Sequence, residues 1–190
     1  MSQWLGLSGL TAVITGAGGG IGKAVALELS ANGVHCNVLD RASELVDATV
    51  AEIAGNGGQA TGHVCDVTDE AAIEAVASSV KTCDILVNAA GLVRPGALAD
   101  LTTVEWNDLL KVNLTGYFLM ARTFSPHLVA SGNGSMIHIA SISSTNPQGS
   151  SGAYSVSKAG VVVMSKQLAF ELGSKGVRSN TVSPGLVRTP

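Results

Sequence analysis

Short apolar runs, each stopped by glycine or a polar turn residue, alternate along this chain with longer segments whose apolar positions recur every three or four residues. An apolar run too short for a helix and without alternation predicts a strand buried on both faces, whereas the 3.6-residue period predicts an amphipathic helix. Strands are therefore expected at residues 10–15, 34–40, 60–66, 84–91, 135–141 and 177–185. Helices are expected at 21–33, 42–55, 69–80, 103–130 and 153–175, the first carrying Ile21, Val25 and Leu29 on one stripe and ending at Gly33. Regular alternation of strand and helix predicts an α/β fold, a doubly wound parallel sheet with helices on both faces in three layers. No linker, repeat or second domain interrupts residues 1–190, so one domain is expected.

Composition narrows the class. With 190 residues, 46% of them hydrophobic, the chain can bury a proper core. The net charge of -3 and a pI near 5.7 supply no electrostatic footprint for nucleic acid or an anionic membrane. The 23 glycines gather at strand and helix junctions without a period, as in a domain of enzyme type. Cys36, Cys65 and Cys83 lie far apart in or beside apolar segments and read as reduced core thiols. The four histidines lack ligand spacing, so no metal is expected. The N-terminal run MSQWLGLSGLTAVITG has no basic leader region and its apolar stretch is broken by glycine, which points to a cytoplasmic protein without a membrane span.

Candidate chemistry begins at the first strand–helix junction, TGAGGGIG (residues 15–22). Glycines there let the backbone approach a pyrophosphate while the helix N-terminus presents free N–H groups, making Gly16, Gly18, Gly20, Ile21 and Gly22 dinucleotide-binding candidates. Asp40 closes the second strand, where a carboxylate can accept from the adenosine ribose hydroxyls and repel a 2′-phosphate, favouring NAD over NADP. Arg41 beside it could instead receive that phosphate, and Asp40 could cap the next helix. Asp66 and Val67 fall on the same sheet edge as adenine contacts, although Asp66 also suits a turn. Asn88, Ala89, Ala90 and Gly91 end the fourth strand with room for a cofactor or for a turn. Tyr154 and Lys158, four residues apart, share one helix face. A cation about 4 Å from the phenol is worth roughly 4 kcal/mol at an effective dielectric near 20, enough to lower its pKa by up to about three units before desolvation. The alternative is a packed tyrosine and a snorkelling lysine.

These motifs together resemble the short-chain dehydrogenase/reductase family of the classical type. The resemblance rests on TGAGGGIG, Asp40, CDV with Asp66, NAAG at 88–91, Asn113 in KVNLTG, Ser141 in IAS, YSVSK, and SPGLVRT near the end. Asn113 precedes Ser141 by 28 residues and Ser141 precedes Tyr154 by 13, which suits the family's catalytic tetrad. The resemblance implies a Rossmann-like fold and an oxidoreductase interconverting a secondary alcohol and its ketone. In that scheme Tyr154 exchanges the hydroxyl proton, and Lys158 tunes the phenol and holds the nicotinamide ribose. Ser141 orients the substrate oxygen, with Ser143 as the alternative, and Asn113 holds a water linking Lys158 to solvent. Pro184, Gly185, Val187 and Thr189 touch the nicotinamide.

The chain departs from the family pattern in three places. NAAG stands where NNAG is more frequent, the segment between Asp66 and Asp84 is short, and the sequence stops at Pro190, before the expected seventh strand and substrate lid. Six strands and an open substrate side are thus expected. An active NAD(H)-dependent dehydrogenase is the main reading. Its alternatives are an NAD-binding interaction or scaffolding domain of low activity and an NADPH-dependent ketoreductase such as a 3-oxoacyl reductase. The loop at 143–152 carries no charge, which disfavours an anionic substrate held there. An apolar stripe on the helix bearing Tyr154 and Lys158 is compatible with a homodimer or homotetramer, or with packing on the sheet.

Overall fold

A computed structural model describes residues 5–189. The first four residues of the N-terminal run, and Pro190, lie outside that range. The elements follow as β1 (Thr11–Thr15), α1 (Gly20–Ala31), β2 (His35–Asp40), α2 (Ser43–Gly55), β3 (Gln59–Val64) and α3 (Glu70–Ser79). They continue as β4 (Ile85–Asn88), α4 (Thr103–Leu110), α5 (Gly116–Ala130), β5 (Ser135–Ile139), α6 (Gly152–Leu172) and β6 (Arg178–Val182). All six strands pair in parallel in the order β3-β2-β1-β4-β5-β6. The order reverses between β1 and β4, which opens a crevice at the carboxyl ends of those two strands.

Strand alternation divides the core into two layers. Val13, Leu86 and Met136 pack on one face with Ile73 of α3 and Phe124 and Leu128 of α5. Ala12, Ile14, Ile85 and Val87 pack on the other with Ala26 of α1 and Val46 and Ile53 of α2. Each large aliphatic or aromatic side chain buried this way contributes roughly 1.5–3 kcal/mol, and both layers converge on the central strands. Beside α1, a groove of about 510 Å³ runs along Leu7, Leu10, Val25, Ile137 and Val182 towards β6, which is one edge of the sheet. Among the described residues no helix is long and apolar enough to cross a membrane. The three cysteines are buried and free, and burial pushes Cys36 and Cys65 up to about 11 and Cys83 up to about 12.

Two local departures from the pattern shape the site. The helix expected at 103–130 is interrupted: α4 gives way to a π-helical turn, Lys111–Thr115, before α5 begins, and the Gly116 N–H donates to the Lys111 carbonyl. The cause is Asn113, fully buried within that turn. Its Oδ1 accepts from the Leu92 N–H and its Nδ2 donates to the Leu92 carbonyl, both at 2.9 Å, so the helix widens to aim the amide inward. The expected fourth strand also ends early, at Asn88. Beyond it the N–H groups of Ala89 and Ala90 leave the ladder for Thr15 Oγ1, at 3.0 and 3.1 Å.

Candidate active site

The first junction is a turn that only glycine can make. Gly16 has φ +64°, and a Cβ there would lie 2.8 Å from Cα and N of Ala90. A Cβ on Gly22 would lie 2.3 Å from the Gly16 carbonyl oxygen, so α1 starts pressed against the turn. Thr49 of α2 fixes the turn from outside, its hydroxyl donating to the Ala17 carbonyl at 3.0 Å. The N-cap of α1 is Gly19, which provides no side-chain cap, so the N–H groups of the first helical turn are left for an anion.

Asp40 reaches this turn from β2. Its Oδ2 accepts from the Gly18 N–H at 3.1 Å, and a Cβ on Gly18 would come within 2.8 Å of that oxygen. The N-cap of α2 is Ala42, which lacks a side-chain cap bond, but Asp40 also holds the entry to that helix, its Oδ1 accepting from the Ala42 N–H at 3.3 Å. Arg41 is exposed and takes no part in the ion pairs among the described residues. Asp66 is exposed and closes a turn through Thr68 N–H at 2.8 Å, while Val67 is buried against Gly116, where a Cβ would lie 2.9 Å from Val67 Cγ2. The Asn88 side chain is committed to the interior: Nδ2 donates to the Tyr117 carbonyl at 3.2 Å and to His138 Nδ1 at 3.1 Å.

The other wall of the crevice is made of buried polar side chains. Lys158 is 4% exposed, and its ammonium donates to the Ile139 carbonyl at 2.7 Å and to the Tyr117 hydroxyl at 3.2 Å. It lies 5.8 Å from the Tyr154 ring centroid, on the same side of α6. Burial without a carboxylate partner lowers the Lys158 pKa to about 8. A Cβ on Gly91 would stand 3.3 Å from Asn113 Oδ1 and 3.6 Å from Lys158 Nζ, so the loop after β4 passes directly against both groups. Ser141 lies two residues beyond the end of β5, and its Oγ accepts from the Ser143 N–H at 3.1 Å, leaving its own proton available. Ser143 contributes its backbone to that turn.

The last segment closes the arrangement. The Ile142 N–H donates to the Pro184 carbonyl at 3.0 Å, and a Cβ on Gly185 would lie 3.8 Å from Ile142 Cδ1. Thr189 Cγ2 stands 3.6 Å from the Cβ position of Gly20, so this segment links the Ser141 turn to the glycine turn. Val187 is half-exposed and Leu186 fully exposed along it. Among the described residues no group of three or more His, Cys, Asp or Glu is placed to hold a metal ion.

The family described as short chain dehydrogenase matches residues 10–190. The chain belongs to the short-chain dehydrogenase family. D-threitol dehydrogenase of Mycolicibacterium smegmatis is 38% identical over 187 residues, covering 96% of this chain and 72% of the relative. A 3-oxoacyl-acyl-carrier-protein reductase of Thermotoga maritima is 34% identical over 188 residues, covering 97% and 76%. The L-sorbose reductase of Gluconobacter frateurii, solved with NADPH and L-sorbose, superposes with a TM-score of 0.93 at 31% identity, covering 96% of this chain and 72% of that one. This short-chain dehydrogenase is thus an NAD(P)-dependent oxidoreductase acting on CH–OH groups.

Three further residues hold the site without forming a motif of their own. Ser157, inside YSVSK, accepts from Asn113 Nδ2 at 3.2 Å and donates to the Tyr154 carbonyl at 2.7 Å. Thr15 ties the end of β1 to the loop after β4. Tyr117 stands beside Lys158. Its position four residues after Asn113 is the one sequence signal, and the π turn obscures it by changing the helical phase.

Proposed function

We propose that this short-chain dehydrogenase interconverts a secondary alcohol and its ketone with NAD(H), on a small substrate without an anionic group at the 143–152 loop. The observation that carries this reading is the place of Lys158, whose ammonium lies 5.8 Å from the Tyr154 ring centroid, close to Gly91, and is anchored on Ile139, two residues before Ser141. The residues around the glycine turn fit a dinucleotide: an uncapped helix N-terminus, a Gly18 position that a Cβ would fill, and the Asp40 carboxylate beside it. Asp40 would take the adenosine ribose, Lys158 the nicotinamide ribose, and Thr189 with the Val187 backbone the carboxamide. When bound, the nicotinamide supplies a hydride acceptor for the carbinol C–H or a hydride donor for the carbonyl carbon.

Tyr154 then moves the proton. In oxidation the phenolate oxygen accepts the alcohol proton, and in reduction the phenol O–H donates to the developing alkoxide. The Ser141 hydroxyl, already accepting from Ser143, donates to the same substrate oxygen and orients it. Asn113, its amide anchored on Leu92 and Ser157, would hold a water linking Lys158 to solvent. Self-association is part of the reading, as a homodimer or homotetramer. Val156, Val163 and Phe170, seven residues apart on α6, leave an exposed apolar stripe that supports it.

The test is NADH formation from a panel of secondary alcohols, in wild type and Tyr154→Phe. A loss of about 10²–10⁴-fold in kcat is expected for the variant. Equal rates in the two proteins would remove Tyr154 from the chemistry. The exposed Arg41 beside Asp40 favours a second reading, an NADPH-dependent ketoreductase; kcat/KM for NADPH above that for NADH would establish it.

A further inference from the structure

A second phenol lies directly against the catalytic ammonium. Tyr117, on α5, is 1% exposed; its hydroxyl accepts from Lys158 Nζ at 3.2 Å and donates to the Ile139 carbonyl at 3.2 Å. The ammonium also lies 4.8 Å from the Tyr117 ring centroid. An ammonium has three N–H donors. Tyr117 and Ile139 receive two of them, which leaves one uncommitted, on an ammonium that lies near Gly91 and Tyr154.

We propose that Tyr117 is a positioning residue for Lys158, holding the ammonium charged and fixed so that one N–H stays free for the nicotinamide ribose. This rests on the reading of Lys158 given under the proposed function. The titratable groups facing Lys158 are Tyr154 on its own helix and Tyr117 from α5, with His138 of β5 stacked behind the Tyr117 ring at 6.1 Å. None of the ion pairs among the described residues includes Lys158. His138 is lowered to about 4 by burial and is neutral at pH 7, so it neither opposes nor supports the charge. The Tyr117 pKa is pushed far up by burial and, secondarily, by the Tyr154 charge, so this phenol remains a neutral O–H that accepts and donates but does not serve as a base. With no carboxylate at hand, its hydroxyl and the Ile139 carbonyl take the place of a counter-ion.

Lysine titration by NMR in protein carrying carbon-13 at lysine Cε tests this in the absence of cofactor, with Lys158→Met assigning the signal. The wild-type midpoint is expected near 8. Tyr117→Phe keeps the ring and removes the hydroxyl, and its midpoint is expected about one pH unit lower, the worth of one hydrogen bond to a charged group. Tyr117→Met is expected lower still, and Tyr117→Gln, which restores an acceptor without the ring, is expected to recover part of the shift. NADH affinity at pH 8, followed by fluorescence, is expected to weaken several-fold in Tyr117→Phe while the KM for the alcohol stays put. A wild-type midpoint retained in Tyr117→Phe overturns the proposal even if that variant is less stable, since a purely structural role would lower stability and leave the titration alone. A Tyr117→Gln midpoint no higher than that of Tyr117→Met also overturns it, and this comparison stands if Tyr117→Phe does not fold. The NMR readout needs neither cofactor nor substrate. Absence of turnover in wild type would therefore defeat the proposed function and leave the Tyr117 contact standing, whereas turnover with an unmoved midpoint would defeat only the role of Tyr117.

Discussion

The two walls of the crevice are made from different materials. On the β1–β2 side the working groups are backbone: the Gly18 N–H facing Asp40, the uncapped start of α1, and a Gly16 turn pressed on Ala90. On the β4–β5 side they are side chains withdrawn from water: Asn113, Ser157, Tyr117 and Lys158, each holding another through a hydrogen bond. A backbone cradle fails by steric intrusion, because a Cβ cannot be moved out of the way. A buried polar wall fails electrostatically, because its charges cost desolvation whether or not the chemistry runs. In the proposed function the first wall would therefore serve fold and binding together, while the second would set function against stability.

The largest expected effect falls on the backbone wall. Gly16→Ala places a Cβ 2.8 Å from the Ala90 main chain at a positive φ, and a loss of about 3 kcal/mol in urea unfolding is expected. Gly55→Ala, where a Cβ meets nothing within 4 Å, is the control and should stay within about 0.5 kcal/mol. Comparable losses in both would show that the turn is not sterically special. The second effect has the opposite sign and tests the polar wall. Lys158 titrates near 8 when folded against 10.5 when unfolded, so the unfolded chain binds more protons between those values and wild-type stability is relieved as pH rises through them. Below pH 8 the full cost remains, and Lys158→Met is expected to be more stable than wild type by about 2 kcal/mol at pH 7 while losing activity. That advantage should shrink between pH 8 and 10.5; a pH-independent difference would contradict the burial cost. The smallest effect compares cofactors: if the proposed choice of NAD holds, Asp40→Ala is expected to lower the ratio of kcat/KM for NAD to that for NADP by about tenfold. An unchanged ratio would shift the choice of cofactor to Arg41.

The alternation of apolar run and helical stripe was enough to place the strands and helices, because burial on both faces of a parallel sheet leaves a continuous apolar signal. The glycine turn was equally legible, since it demands residues that lack a Cβ. Boundaries were less so where a side chain competes with the backbone. The strand expected to reach 91 ends at Asn88 because Thr15 captures the next two N–H groups, and no local pattern announces a partner more than seventy positions away. For the same reason the helix expected at 103–130 conceals a π turn, which exists to let Asn113 grip Leu92.

By itself, then, the sequence determined the α/β alternation, the glycine turn before α1 and the placing of Tyr154 and Lys158 on one side of a helix, all of which follow from local sterics and helical spacing. Tertiary structure decided how those groups are held. The spacing of YSVSK puts a lysine near a tyrosine, but only the packing of α5 and β5 against α6 reveals that the ammonium bonds first to the Ile139 carbonyl and the Tyr117 hydroxyl. Hydrogen bonds of buried polar groups are satisfied by whatever the fold brings within 3 Å or so, and that proximity is a property of the closed chain rather than of any stretch of it.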